Sequence, residues 1–199
     1  MVDLYDIAPE GDVTLVFGAT EDAQTTRIRV SSVVLSLGSP VFKAMLGPHF
    51  KEGVILKTGS QLDLPLPDDD PEIMLLICEV MHMKRVTMNQ PNPERLLRLA
   101  VVVDKYDCRV ALAYFICTWF QQLPAFGSDF ERVNVFFAAF YFKLPEEFAR
   151  LGRQIVLENS GAIVSGDLTH CEPGLDSARG TAPVPCERDF KSHPKEGHG

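Results

Sequence analysis

Long hydrophobic runs, clustered cations and paired cysteines are what this sequence lacks. Its longest apolar stretches, near residues 112–120 and 133–142, fall short of the ~20 residues a membrane span requires. Met1-Val2-Asp3 opens on an acid instead of a basic region ahead of an apolar run, so neither an export leader nor a membrane anchor is expected. Lysine and arginine number 19 against 27 aspartates and glutamates, for a net charge of −8. A binder of phosphate backbones needs grouped cations to release counterions, so nucleic acid and anionic lipid are poor direct partners. The cysteines Cys78, Cys108, Cys117, Cys171 and Cys186 are odd in number and widely spaced, as expected of reduced thiols in an intracellular protein of the cytoplasm or nucleus.

Catalytic signatures are missing as well. There is no glycine-rich phosphate loop, zinc-protease helix motif, Gly-x-Ser-x-Gly elbow or Cys-x-x-Cys pair, so no catalytic, cofactor or metal site is expected and the chain reads as a non-enzyme. His170, Cys171, Cys186, His193 and His198 are zinc-compatible residue types, but the two cysteines lie far beyond the roughly two to four intervening residues of a finger. His49 and His82 stand singly near helix ends, where they can meet terminal carbonyls or water. Asp68-Asp69-Asp70 lacks the alternating ligands of a calcium loop and reads as a solvated turn whose last residue caps a helix.

What the sequence does hold is 46% hydrophobic residues, enough for one packed core with appendages. Residues 12–17 alternate Val13, Leu15 and Phe17 against Asp12, Thr14 and Val16, and Arg27-Ile28-Arg29-Val30 alternates again, which predicts two antiparallel strands. Ser31 or Ser32 can cap a short helix through Leu37, and Ser39-Pro40 supplies an acceptor and then a residue lacking N–H where a second helix begins. The runs 54–56 and 62–64, separated by Thr58-Gly59-Ser60, predict two short strands about a turn.

Helices follow. Asp70-Pro71-Glu72 opens one over about 71–83 with Ile73, Leu76, Ile77 and Val80 inward, and Asn92-Pro93-Glu94 opens another with Leu96, Leu99, Ala100 and Val103 inward. A third carries Leu112, Phe115, Ile116, Trp119 and Phe120 up to Pro124. Ser128-Asp129-Phe130-Glu131 is a capping box, with Glu131 expected to reach back to the N–H of Ser128. Pro145-Glu146-Glu147 starts a last helix with Phe148, Leu151, Ile155 and Val156 inward. From about Gly161 the periodicity dissolves into Gly, Pro, Ser, His and charge, predicting a disordered tail over 161–199. The order is that of an α+β fold, a small sheet packed against a cluster of helices.

Several local patterns, in order, resemble the BTB/POZ domain in the variety common in fungal proteins. They are the strand Asp12-Val13-Thr14-Leu15, the helix pair from Val33 to Leu46 with Ser39-Pro40 and Phe42 at its join, the acidic turn from Leu64 to Pro71, and the stretch around Asp104-Lys105-Tyr106-Asp107. The resemblance covers residues 12–123, preceded by an N-terminal segment 1–11. It is continued by helices over 124–160 like those that follow the domain in similar chains.

The family resemblance implies a protein–protein interaction module, an adaptor or a scaffold, whose partners are other proteins. Phe50-Lys51-Glu52 looks like the element by which some members touch a cullin scaffold of a ubiquitin ligase, making Phe50 and Glu52 candidate contacts. The competing expectation is a buried Phe50 and a merely wet Glu52. Ser31 stands where many members carry histidine, altering a candidate polar pocket with Asp12. Family members also pair as two-fold dimers, and Leu4, Tyr5 and Ile7 are a candidate dimer edge, though the segment before Asp12 is short for strand exchange.

Overall fold

The computed structural model describes residues 2–18, 25–84, 86, 92–123 and 126–158. The tail over 161–199, with its histidines and two cysteines, lies outside the described residues.

Four strands, β1 (Val2–Asp6), β2 (Val13–Phe17), β3 (Thr25–Val30) and β4 (Leu62–Pro65), form one sheet in the order β1-β3-β2-β4. β2 and β3 are antiparallel, with Val13 opposite Val30 and Leu15 opposite Ile28. The predicted alternation thus places Val13, Leu15, Phe17, Ile28 and Val30 on one buried face. β4 runs parallel to β2, adding Leu62 and Leu64 to that face. On the other face Arg27 reaches diagonally to Asp63 at 2.6 Å. β1, parallel to β3, is a strand that the sequence pattern did not predict.

The helices are α1 (Ser32–Gly38), α2 (Pro40–Met45), α3 (Lys51–Lys57), α4 (Pro71–Met81), α5 (Pro93–Lys105), α6 (Ala113–Gln121), α7 (Asp129–Tyr141) and α8 (Pro145–Glu158). Their starts follow the predicted caps: Asp70 accepts from the backbone N–H of Glu72 and Ile73, and Asn92 from those of Glu94 and Arg95. Ser128 accepts from Glu131 at 3.2 Å. Glu131, however, reaches the N–H of Gly127 and not that of Ser128, closing the box one residue earlier than expected.

Helix α4 is covered almost all round, with Ile73, Met74, Leu76, Ile77, Cys78 and Met81 buried; it is the centre of the core, between sheet and helices. α5 packs on it, and Leu96, Leu99, Ala100 and Val103 of α5 and Phe115, Ile116 and Trp119 of α6 are buried in the same core. Each such large apolar side chain contributes about 1.5–3 kcal/mol by leaving water. α7 packs on α5, and α8 packs on α7, where Phe148 stacks on Phe136 at 4.3 Å.

Three expectations are corrected. Residues 54–56 are not a strand but the second half of α3, because Val54 and Ile55 face outward and only Leu56 turns toward the core. The helix is drawn tightly onto the preceding turn at Gly53, where a Cβ would stand 1.9 Å from the Gly47 carbonyl oxygen. Val156 is exposed, since Leu151 and Ile155 define the inward stripe of α8 and the next position is rotated away from it. Asp69 is not solvated: its side chain is 5% exposed, held beneath α5 by Lys105.

Candidate functional site

Asp12, just ahead of β2, directs its carboxylate at the start of α1. Its oxygens accept from the Ser32 N–H at 2.8 Å and the Ser32 hydroxyl at 2.6 Å. A carboxylate there satisfies a donor that the helix cannot and complements its dipole. Ser31 makes no side-chain cap; its backbone N–H instead donates to Nε2 of His82, at 3.0 Å. Nδ1 of His82 lies 2.8 Å from the Cys78 carbonyl, which can only accept, so Nδ1 carries the proton and Nε2 is the acceptor. Burial, first, lowers the pKa of His82 below its ordinary value, and Lys84 adds to this against the opposing Cys78 carbonyl. Asp12 thus bonds Ser32 and not its predicted partner Ser31, which is held through its backbone by His82 at the end of α4.

A second anchor ties α2 to α5. The Tyr106 ring stacks on Phe42 with centroids 4.5 Å apart, and its hydroxyl donates to Asp69 at 2.9 Å. Lys105 donates to both oxygens of the same carboxylate at 2.8 and 2.9 Å. Burial, followed by the Asp69 contact, pushes the Tyr106 phenol far above its ordinary range, so it is a permanent donor.

These anchors set the position of the surface formed by α1 to α3. Phe50 is the N-cap of α3 and is 52% exposed, whereas the side chain of Glu52 in the first turn is only 16% exposed. Both halves of the competing expectation are thus reversed. The carboxylate of Glu52 complements the helix N-terminus and lies 3.7 Å from Lys51, a contact of little energetic weight. Val54 and Ile55 extend the exposed apolar surface along α3, and Val33 and Leu37 do so on α1. The sequence named Phe50 and Glu52 but gave no sign of the other four, whose apolar character reads as core.

At the far edge of the sheet, β1 pairs with its own chain's β3. Leu4 and Tyr5 are exposed, while Ile7 is buried in the core, so the three residues of the predicted dimer edge do not share one surface.

Two of the cysteines lie in the core. Burial pushes the Cys108 thiol up to about 12 and Cys78 higher still, which leaves both as inert core thiols. No three His, Cys, Asp or Glu side chains there group as metal ligands, and no helix there is long and apolar enough to cross a membrane.

The profile of the BTB/POZ domain matches residues 9–118, more than half of the chain and the whole run from the approach to β2 into α6. The chain belongs to the BTB/POZ family. Its small mixed sheet against a cluster of helices is the fold of that family, and a BTB/POZ domain is a protein–protein interaction module. Among curated proteins, none matches the chain.

Proposed function

We propose that this chain is a non-catalytic BTB/POZ adaptor that recruits a partner to a cullin-type ubiquitin ligase through Phe50 and Glu52. The observation that carries this reading is the exposure of Phe50 at the start of α3, beside a carboxylate held close to the helix and ahead of the outward-facing Val54 and Ile55. An aromatic ring fixed at a helix cap is preorganised to fill a partner's pocket, as binding hot spots are. In this reading the module spans 12–123 and is of the fungal variety, and the extension over 124–160 is no separate domain; the docking of α7 on α5 supports the last point. The adaptor works in the cytoplasm or nucleus.

A second reading, a self-associating scaffold or regulator-type dimerisation module with no ligase link, is favoured by β1. It is a sheet edge whose Leu4 and Tyr5 face outward, and a strand edge with free backbone groups invites pairing with another chain.

Calorimetry of the whole chain against a cullin amino-terminal domain separates the two. Micromolar or tighter binding that Glu52→Ala abolishes supports the adaptor. Absence of binding, with a dimeric mass in light scattering, transfers the case to the scaffold.

A further inference from the structure

Helix α7 buries Asn134, Val135, Ala138 and Ala139 on its inner side. α8 lies along one flank, where Phe148 stacks on Phe136 and a Cβ at Gly152 would stand 3.2 Å from that same ring. The outer side of such a helix ordinarily carries charge. Here it does not: between Arg132 and Lys143 no charged residue occurs, and Phe130, Val133, Phe137 and Phe140 recur at the spacing that aligns side chains along one face. Phe130 is 63% and Phe140 59% exposed, and Val133 and Phe137 between them are half-buried. The stripe lies beyond residues 9–118, which match the BTB/POZ profile, so it belongs to this chain's own extension. We propose that it is a self-association surface, on which α7 of a second copy of the chain packs antiparallel about a two-fold axis.

Self-complementarity identifies the occupant. The spacing of the stripe reads the same from both ends, so antiparallel pairing sets Phe130 against Phe140 of the second copy and Val133, the one small member, against Phe137. Such spacing suits helices that cross at a shallow angle. The charges agree with that direction. Asp129 and Glu131 lie in the first turn and Lys143 just past the last, its side chain 65% exposed and its ammonium 3.8 Å from Asp104, too far for a hydrogen bond. An antiparallel partner brings the acidic turn of one copy to Lys143 of the other at both ends of the pair and opposes the two helix dipoles, whereas a parallel partner would set acid beside acid. Size fixes the strength. With about 150–250 Å² for each aromatic side chain, the exposed parts of the stripe bury on the order of 400 Å² per copy, short of the roughly 800 Å² per partner of a stable complex. The pair is therefore weak and forms at high concentration. It uses neither Phe50 nor the β1 edge, and stands whether or not a cullin engages the chain.

The test is sedimentation equilibrium of the whole chain from about 5 to 500 μM, a range suited to an interface of this size, beside Phe130→Asp, Lys143→Glu and Asp129→Lys/Lys143→Glu. Phe130 is exposed and stands in the first turn of α7, where an acid favours the helix dipole, so that variant should fold; circular dichroism checks all three. The expected result is a reversible rise in mass with concentration, with an association constant reduced at least about tenfold by Phe130→Asp. Lys143→Glu should weaken it as well, and the double swap should restore part of that loss. A mass that stays constant over the range would overturn the proposal and leave the stripe to a different protein. Association that Phe130→Asp leaves intact and Tyr5→Asp, at the β1 edge, removes would overturn it too. So would a double swap that associates no better than Lys143→Glu, because the copies would then not be antiparallel.

Discussion

The hydroxyl of Ser39 donates to the carbonyl oxygen of Tyr106, 67 residues away in sequence, at 2.5 Å. The Ser39 hydroxyl oxygen in turn accepts from the N–H of Phe42 at 3.1 Å. One buried side chain thus starts α2 and satisfies the carbonyl that ends α5, while the Phe42 and Tyr106 rings stack alongside. Replacing it with alanine removes an N-cap, worth about 1 kcal/mol, and strands a buried acceptor, worth about 1–3 kcal/mol. Ser39→Ala should therefore destabilise the chain by about 2–4 kcal/mol in urea unfolding. A change below about 0.5 kcal/mol, the range of surface substitutions, would show that the junction is not held this way.

The His82 contact makes stability depend on pH. Its pKa in the folded chain is below the ordinary value because of burial, so as pH falls the unfolded chain takes up the proton first. The contribution is complete above about pH 6.5, the unfolded value, and is lost as pH falls through the lower folded value. Protonation at Nε2 also turns the acceptor for the Ser31 N–H into a donor. Urea midpoints should fall between about pH 7 and pH 5.5 more steeply in the native chain than in His82→Gln, where no group titrates at this position. Parallel profiles would contradict the assignment.

Helices α4, α5 and α7 each end with a non-glycine residue in the left-handed region: Met83 at φ 56°, Asp107 at 47° and Lys143 at 56°. That conformation costs an L-residue about 1–2 kcal/mol, partly offset by the larger unfolded-state entropy of glycine. Met83 is exposed and leaves no core contact behind, so Met83→Gly should raise stability by about 0.5 kcal/mol. Thermal unfolding checks it; a lowered midpoint would mean the methionine has a packing role.

How much of this was legible in the sequence depended on whether the signal was local. The starts of α4, α5 and α7 were, because Asp70, Asn92 and Ser128 precede their helices and bond to backbone groups two or three residues on. So was the β2 and β3 pair, whose alternation reflects one buried face. The α3 helix was not legible, because Val54 and Ile55 are apolar yet exposed, and an apolar run of that length reads as a buried strand. β1 was missed because a five-residue run with two aspartates gains its place only by pairing with β3. Asp69 looked solvated because its partners Lys105 and Tyr106 lie more than thirty residues later. Within the site, Phe50 and Glu52 were visible as a motif, but their relative exposure was not. His82 meets Ser31 across 51 positions, a juxtaposition that only the packing of α4 against the β3–α1 junction creates.

The most direct test of the account is Phe50→Ala, assayed both for binding to a cullin amino-terminal domain and for unfolding in urea. An exposed cap residue with no side-chain cap bond should change stability by no more than about 0.5 kcal/mol, while loss of a central aromatic contact should weaken binding by about 2 kcal/mol or more. Binding weakened with folding unchanged is the predicted result; unaltered affinity in a folded variant would contradict the assignment of this surface.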